Sequence, residues 1–226
     1  QAVVIHGGGP QATALTKRLH LAPTLIGGRR VTSPEVLEIM KMSLAGSVNV
    51  DLVAAAQAAG IRALGLSAIS AGIIKAVKRP PRVISGCGPD PVDFGEVGDV
   101  AGVDKEALSA LLEAGFVPLV SSLAATQEGR VLNINGDVVA CHVAGALKAR
   151  CLVLITGVDG VFQDLNDPLS RFPRLTIREA ENLIQEGVVA AGMIPKLEEA
   201  FKCLRAGVGK VRICSVNREG FLREAL

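Results

Sequence analysis

The stretch Val3-Val4-Ile5-His6-Gly7-Gly8-Gly9-Pro10 constrains this chain more than any other. Val3 to Ile5 is an apolar, β-branched run and reads as a buried parallel strand. Gly7 to Gly9 can bring bare backbone N–H groups close to a ligand with no Cβ in the way. Pro10 suits the first turn of a helix, where its missing N–H costs nothing, and Ala12, Leu15 and Leu19 recur behind it at helical spacing. Strand, loop and helix start together favour an anion, because free N–H groups and the positive end of the helix dipole converge there. Phosphate is the usual occupant of such a loop. The pattern is neither GxGxxG nor GxxxxGK[ST], so a tight structural turn stands as the second reading of the triplet.

A chain of 226 residues, 49% of them hydrophobic, has the material for buried parallel strands in one α/β domain or two lobes. Its net charge of +2 comes from scattered lysines and arginines, which gives no footprint for nucleic acid or a membrane surface. Six Phe with no Trp or Tyr leave little for base stacking. Cys87, Cys141, Cys151, Cys203 and Cys214 show no CxxC spacing and read as small buried hydrophobes in a reducing compartment. Apolar runs are cut by Gly, Arg, Lys or Asp well short of the ~20 residues that a membrane span needs. With no signal peptide visible, the expected location is the cytoplasm.

Helix and strand signals alternate along the chain. Ser33-Pro34-Glu35 opens a helix with Leu37, Met40 and Leu44 inward, and a second helix runs from about Val48 to Ala59. Ala59-Gly60, Ala114-Gly115 and Ala206-Gly207 each close a helix just before an apolar strand (Ala63 to Leu66, Val117 to Val120, Val211 to Cys214), the αβ half of an α/β protein. Ala71 to Val103 reads as a small hairpin excursion on the sheet's rim. Val117 to Val120 and Val131 to Ile134 flank Glu128-Gly129, a hairpin turn signal. Helices are expected over Val103 to Ala114, Asp137 to Ala149 and Lys196 to Ala206, and Thr176 to Glu179 is a capping box for one that closes at Gly187. The fold class is therefore α/β, a mostly parallel sheet with helices on both faces.

Five motifs, in order, resemble those of the amino acid kinase family: His6-Gly7-Gly8-Gly9, Gly28-Arg29-Arg30-Val31-Thr32, Asp93-Phe94-Gly95-Glu96-Val97-Gly98, Asn133-Ile134-Asn135-Gly136-Asp137 and Gly192-Met193-Ile194-Pro195-Lys196. The resemblance covers essentially the whole chain and is nearest to the members that phosphorylate N-acetyl-L-glutamate. It implies a three-layer αβα sandwich with an open, mostly parallel sheet. An N-terminal lobe, residues 1–137, would bind the acceptor amino acid, and a C-terminal lobe, residues 138–226, would bind ATP with Mg²⁺. Transfer would be to the side-chain carboxylate, a step of arginine biosynthesis, in a cytoplasmic homodimer or higher homo-oligomer. A carrier-protein-linked aminoadipate or glutamate kinase, or a non-catalytic regulatory domain, are the alternatives within the fold. The family's opening Lys-x-Gly-Gly strand and final glycine-threonine strand are not in this stretch, and the expectation is that the chain given is incomplete. Ser67-Ala68-Ile69-Ser70 and Gly157 also depart from the family's usual residues.

Phosphoryl transfer to a carboxylate needs no general base, since the acceptor is already ionised near pH 7. It needs relief from the repulsion between an anion and a polyanion. The resemblance assigns Lys196, Asp137 and Gly8 to catalysis, with Lys196 on the nucleotide side and Asp137 organising lysines by charge. It assigns Gly8, Gly9, Arg30 and Asn133 to the acceptor, Arg30 clamping a carboxylate bidentately. It assigns Gly7, Gly8, Thr156, Gly157, Val158, Gly160 and Lys196 to the nucleotide. No protein metal site is implied. From the residues alone, Asp137 is equally a helix N-cap, Lys196 a solvated surface lysine, Arg29 solvated, and His6 structural. His20 and His142 read as helix residues without a motif around them.

Overall fold

In a computed structural model, residues 1–84, 88–189, 193–217, 220 and 222–223 are described. Cys87 and Gly192 lie outside them. The chain forms two compact units, Gln1–His142 and Val143–Leu226.

The first unit opens with β1 (Val4–His6), which passes through the glycine loop into α1 (Gly9–Arg18). The strand starts one residue later than expected, and Val4 is 40% exposed, because β1 pairs only with β7 among the described strands. In α1, Ala12 and Thr16 face inward, Thr16 donating to the Ala12 carbonyl at 2.7 Å. Leu19, expected inside, is exposed at the helix end, where His20 turns the chain at φ 59°. His20 is thus a turn residue. β2 (Leu25–Ile26) and β3 (Arg29–Arg30) form a hairpin over Gly27-Gly28, both at positive φ as a two-residue hairpin turn requires.

Ser33 caps α2 (Pro34–Met40), its hydroxyl accepting from Val36 N, with Pro34 in the first turn. Instead of stopping, α2 continues through a π-helical segment, Lys41–Val48, kinked at Gly46, into α3 (Asn49–Ala58). Pro34–Ala58 is therefore long and apolar enough, by length and composition, to cross a membrane, although Glu38, Lys41 and Asp51 keep each uncharged run within it short. Its inward side is a core face: Val36, Leu37, Met40 and Leu44 pack with Ala12 and Leu123.

β4 (Ala63–Ser67) follows, then β5 (Ile74–Lys78) and β6 (Gly98–Val103), the two antiparallel legs of the expected excursion. Asp104 caps α4 (Lys105–Glu113), which buries Leu108 and leads to β7 (Val117–Ser121). β7 is the middle strand of a parallel sheet, order β1-β7-β4, and α3 and α4 both pack against it. The hairpin over Gly129 joins β8 (Leu123–Ala125) to β9 (Val131–Asn133), not β7 to β9. At Ser121-Ser122 the chain leaves the parallel sheet and enters a second one, order β6-β5-β8-β9. α5 (Gly136–Ala146) runs on from this unit.

The second unit holds the parallel pair β10 (Leu152–Thr156) and β11 (Val211–Ser215), with α6 (Ile177–Gln185) and α7 (Ile194–Arg205) between them in sequence. The Thr176–Glu179 capping box is present in both directions. Val161, Ala180, Val189, Leu197 and Phe201 form its core. Gly60, Gly115 and Gly207 have φ of 77°, 80° and 92°, so each closes its helix in the left-handed conformation. The architecture is open α/β with parallel strands in β1-β7-β4 and β10-β11.

Candidate active site

Two helix N-termini meet on the glycine loop. α1 begins at Gly9, with Ala12 N donating to Gly8 O at 2.8 Å. α5 begins at Gly136, where a Cβ would lie in van der Waals contact with the loop, 3.5 Å from Gly7 N and 3.7 Å from His6 C, so the two segments lie side by side. Both starts direct partial positive charge at one place. The glycines are not equivalent. A methyl on Gly8 would meet Leu44 Cδ1 at 3.0 Å and Val48 Cγ2 at 3.3 Å, whereas one on Gly7 or Gly9 has nothing within 4 Å. Gly8 is therefore held by packing as well as by any ligand, and Gly7 and Gly9 border open space.

Arg30 reaches this loop from β3. Its Nη2 donates to Thr13 Oγ1 at 2.6 Å and to Gly9 O at 3.1 Å. Its Nη1 is buried with no hydrogen-bond partner, and burial lowers the guanidinium pKa from its ordinary value. A half-buried cation with one unpartnered nitrogen at the start of α1 is suited to an oxyanion. Arg29, the neighbouring residue on a strand, projects to the other face and is only partly exposed.

Asn133 ends β9, and its Nδ2 donates to Thr32 Oγ1 at 3.2 Å. The Asp93–Gly98 segment holds Thr32 in place. Thr32 N donates to Phe94 O at 2.8 Å and Glu96 N donates to Thr32 O at 2.6 Å. Gly95, at φ 69°, has no room for a Cβ against the Thr32 carbonyl. Ion pairs brace this segment: Lys78 with Asp93 at 2.9 Å, Arg130 with Glu96 at 2.6 Å and Arg79 with Asp99 at 2.5 Å. The motif thus works as a clamp that fixes the Arg30–Thr32 segment beside Asn133.

Asp137 is not the N-cap of α5. Asn135 takes that place, its Oδ1 accepting from Asp137 N at 2.7 Å and Val138 N at 3.4 Å. Asp137 stands in the helix's first turn, next to the Gly136–Gly7 contact.

In the second unit Thr156 ends β10 opposite Ser215, and Gly157, Val158 and Gly160 form the following loop. A Cβ on Gly157 would meet nothing within 4 Å; Gly160, at φ 111°, would meet Arg171 Cδ at 3.5 Å. Asp159 fastens the loop, its Oδ1 accepting from Ser215 N at 3.0 Å. Lys196 lies in the first turn of α7, where Ile194 and Leu197, with the preceding Met193, share a core with Val161.

The first unit thus gathers Gly7, Gly8, Gly9, Arg30, Asn133 and Asp137 around the ends of β1, β3 and β9. The second unit carries Thr156, Gly157, Val158, Gly160 and Lys196 on a strand-end loop and a helix start. From the sequence alone no role is assigned to Thr13, to Asn135 within its motif, or to Asn49. The last had one signal, a polar residue at the junction of two apolar helical stretches, and its carbonyl partners come from distant strands.

The model of the amino acid kinase family matches residues 1–215. The chain is 48% identical to "Acetylglutamate kinase" of Anaeromyxobacter dehalogenans strain 2CP-1, over 100% of this chain and 83% of that protein. Among solved structures, smu.665 from Streptococcus mutans UA159 superposes with a TM-score of 0.79 at 31% identity, covering 94% of this chain and 81% of its own. N-acetylglutamate synthase from Neisseria gonorrhoeae, complexed with coenzyme A and N-acetyl-glutamate, also reaches a TM-score of 0.79, at 26% identity, over 98% of this chain and 48% of that one.

Proposed function

The chain belongs to the amino acid kinase family, and from that premise we propose that it transfers the γ-phosphoryl group of ATP to the side-chain carboxylate of N-acetyl-L-glutamate. A carboxylate oxygen attacks the γ-phosphorus, the bond to the β,γ-bridging oxygen breaks, and ADP leaves with the electron pair. The product is an acyl phosphate, and the step belongs to amino-acid, specifically arginine, biosynthesis. The observation that carries the reading is Arg30, a half-buried guanidinium whose Nη1 is buried and unpartnered, anchored to Gly9 and Thr13 at the start of α1.

In this reading Arg30 and Asn133 hold the acceptor's α-carboxylate, and Gly8 and Gly9 offer N–H groups to the transferring phosphoryl. Thr156, Gly157, Val158 and Gly160 are assigned to the nucleotide, as are Gly7 and Gly8. Lys196 neutralises charge as ADP departs, and Asp137 orients lysines by its charge. Among the described residues no group of three or more His, Cys, Asp or Glu could hold a metal. A Mg²⁺ bound with ATP would supply neutralisation of charge on the phosphate oxygens. The N-terminal acceptor lobe, the C-terminal nucleotide lobe, the cytoplasmic location and a homo-oligomeric state are parts of the same proposal.

A coupled assay of ADP release against N-acetylglutamate, glutamate and aspartate tests it. N-acetylglutamate should give the highest kcat/KM. Equal rates with glutamate, or no acceptor dependence, would overturn the assignment. Light scattering tests the oligomer.

A further inference from the structure

We infer that Asn49 is a positioning residue for the glycine loop, acting through the tautomer of His6, an inference that rests on the phosphoryl-transfer reading above. Asn49, 6% exposed at the start of α3, extends into the parallel sheet. Its Nδ2 lies 2.9 Å from Leu119 O on β7, 3.3 Å from Leu66 O on β4 and 2.8 Å from His6 Nε2 at the end of β1. A backbone carbonyl only accepts, so Leu119 O fixes which end of the amide faces the sheet; the two Nδ2 hydrogens go to Leu119 O and His6 Nε2, and the longer contact to Leu66 O shares the first. The opposite end, Oδ1, fills the space beside Gly65 that a Cβ would occupy.

With the amide fixed, His6 Nε2 can only accept, and the ring proton of the neutral imidazole must sit on Nδ1. Burial lowers the His6 pKa from its ordinary 6.5, which favours that neutral ring. The Nδ1–H then donates to Gly7 O at 2.8 Å. A trans peptide directs its C=O and N–H to opposite sides. Fixing the Gly7 carbonyl toward His6 therefore turns the Gly8 N–H away from the ring. Three strands thereby set the orientation of one peptide in the loop, through two side chains that touch no substrate.

The test is a long-range ¹H–¹⁵N spectrum of histidine-labelled full chain, with His6 assigned by its absence in His6→Leu. The wild type should show Nδ1 protonated and Nε2 bare, against the preference of free imidazole for the Nε2–H form. Asn49→Ala should return His6 to the Nε2–H form and lower kcat about 10- to 100-fold, with KM for N-acetylglutamate within about twofold. His6→Leu should lose as much, and the double variant no more than His6→Leu alone. An Nε2–H wild type, an unchanged kcat in Asn49→Ala, or a double variant showing the product of two losses would overturn the inference. If Asn49→Ala does not fold, the wild-type spectrum and the kcat of His6→Leu decide it, normal turnover in His6→Leu overturning it. A wild type without acceptor-dependent turnover would sink the kinase reading instead, while the tautomer still reports the Asn49–His6 contact.

Discussion

Arg30 Nη2 and Thr13 Oγ1 lie 2.6 Å apart, which ties the β2–β3 hairpin to the first turns of α1 and leaves Arg30 Nη1 buried and unpaired. Removing such a clamp should reduce kcat/KM for the acceptor by about 2 to 4 kcal/mol, roughly 30- to 1,000-fold. Arg30→Lys should recover little of this, because an ammonium cannot reach Thr13, Gly9 and a ligand as one planar fork. Arg29→Ala should lose far less. Steady-state kinetics of the three variants check this, and equal losses at Arg29 and Arg30 would contradict it.

The glycine loop separates packing from ligand approach. Gly8→Ala presses a methyl against Leu44 and Val48 and should lower stability by about 1 to 3 kcal/mol. Gly9→Ala, with nothing within 4 Å, should melt close to wild type yet lose turnover if, as proposed, the backbone there approaches the phosphoryl group. Denaturant curves and rates on the same samples distinguish the two. A Gly9→Ala variant with full activity would reduce the loop to a turn.

At α5 the cap and the charge are on different residues. Asn135→Ala removes the side-chain acceptor for two N–H groups and should cost about 1 kcal/mol of stability. Asp137→Asn keeps that cap, so stability should barely change while kcat falls by about two orders of magnitude. If Asp137→Asn loses stability and keeps its kcat, the charge has no catalytic part.

Burial of His6 sets the sign of its pH-dependent contribution to stability. Its pKa is depressed in the fold, so below the ordinary value of 6.5 the unfolded chain binds the proton first. The contribution is complete above 6.5 and is lost as pH falls from there toward the folded pKa. The melting temperature should fall from pH 7.5 to about pH 5.5, and His6→Leu should flatten that slope. An equal slope in the variant would assign it to other groups.

Local chemistry was legible in the sequence, and long-range pairing was not. Gly60, Gly115 and Gly207 end their helices as read, because a left-handed C′ residue is decided within one turn. The caps at Ser33 and Thr176 were equally local. The β8–β9 hairpin was misassigned because nothing in Ser121-Ser122 announces a change of sheet. Leu19 satisfied the helical period but fell beyond the last packed turn, while Thr16 buried its hydroxyl on the Ala12 carbonyl. The junction at Lys41–Val48 hid a continuous helix, since a kink at Gly46 resembles a helix end. Of the site, the glycines and Arg30 could be read, but Asn49 answers to Leu66 and Leu119, residues brought near only by the parallel sheet.

The central claim is that a carboxylate of N-acetylglutamate receives the phosphoryl group, and the most direct measurement is trapping of the product with hydroxylamine. An acyl phosphate forms a hydroxamate, whereas ATP hydrolysis or transfer to a hydroxyl does not. The account predicts one hydroxamate per ADP released with N-acetylglutamate, and none when the acceptor is omitted. ADP formation without matching hydroxamate would contradict it.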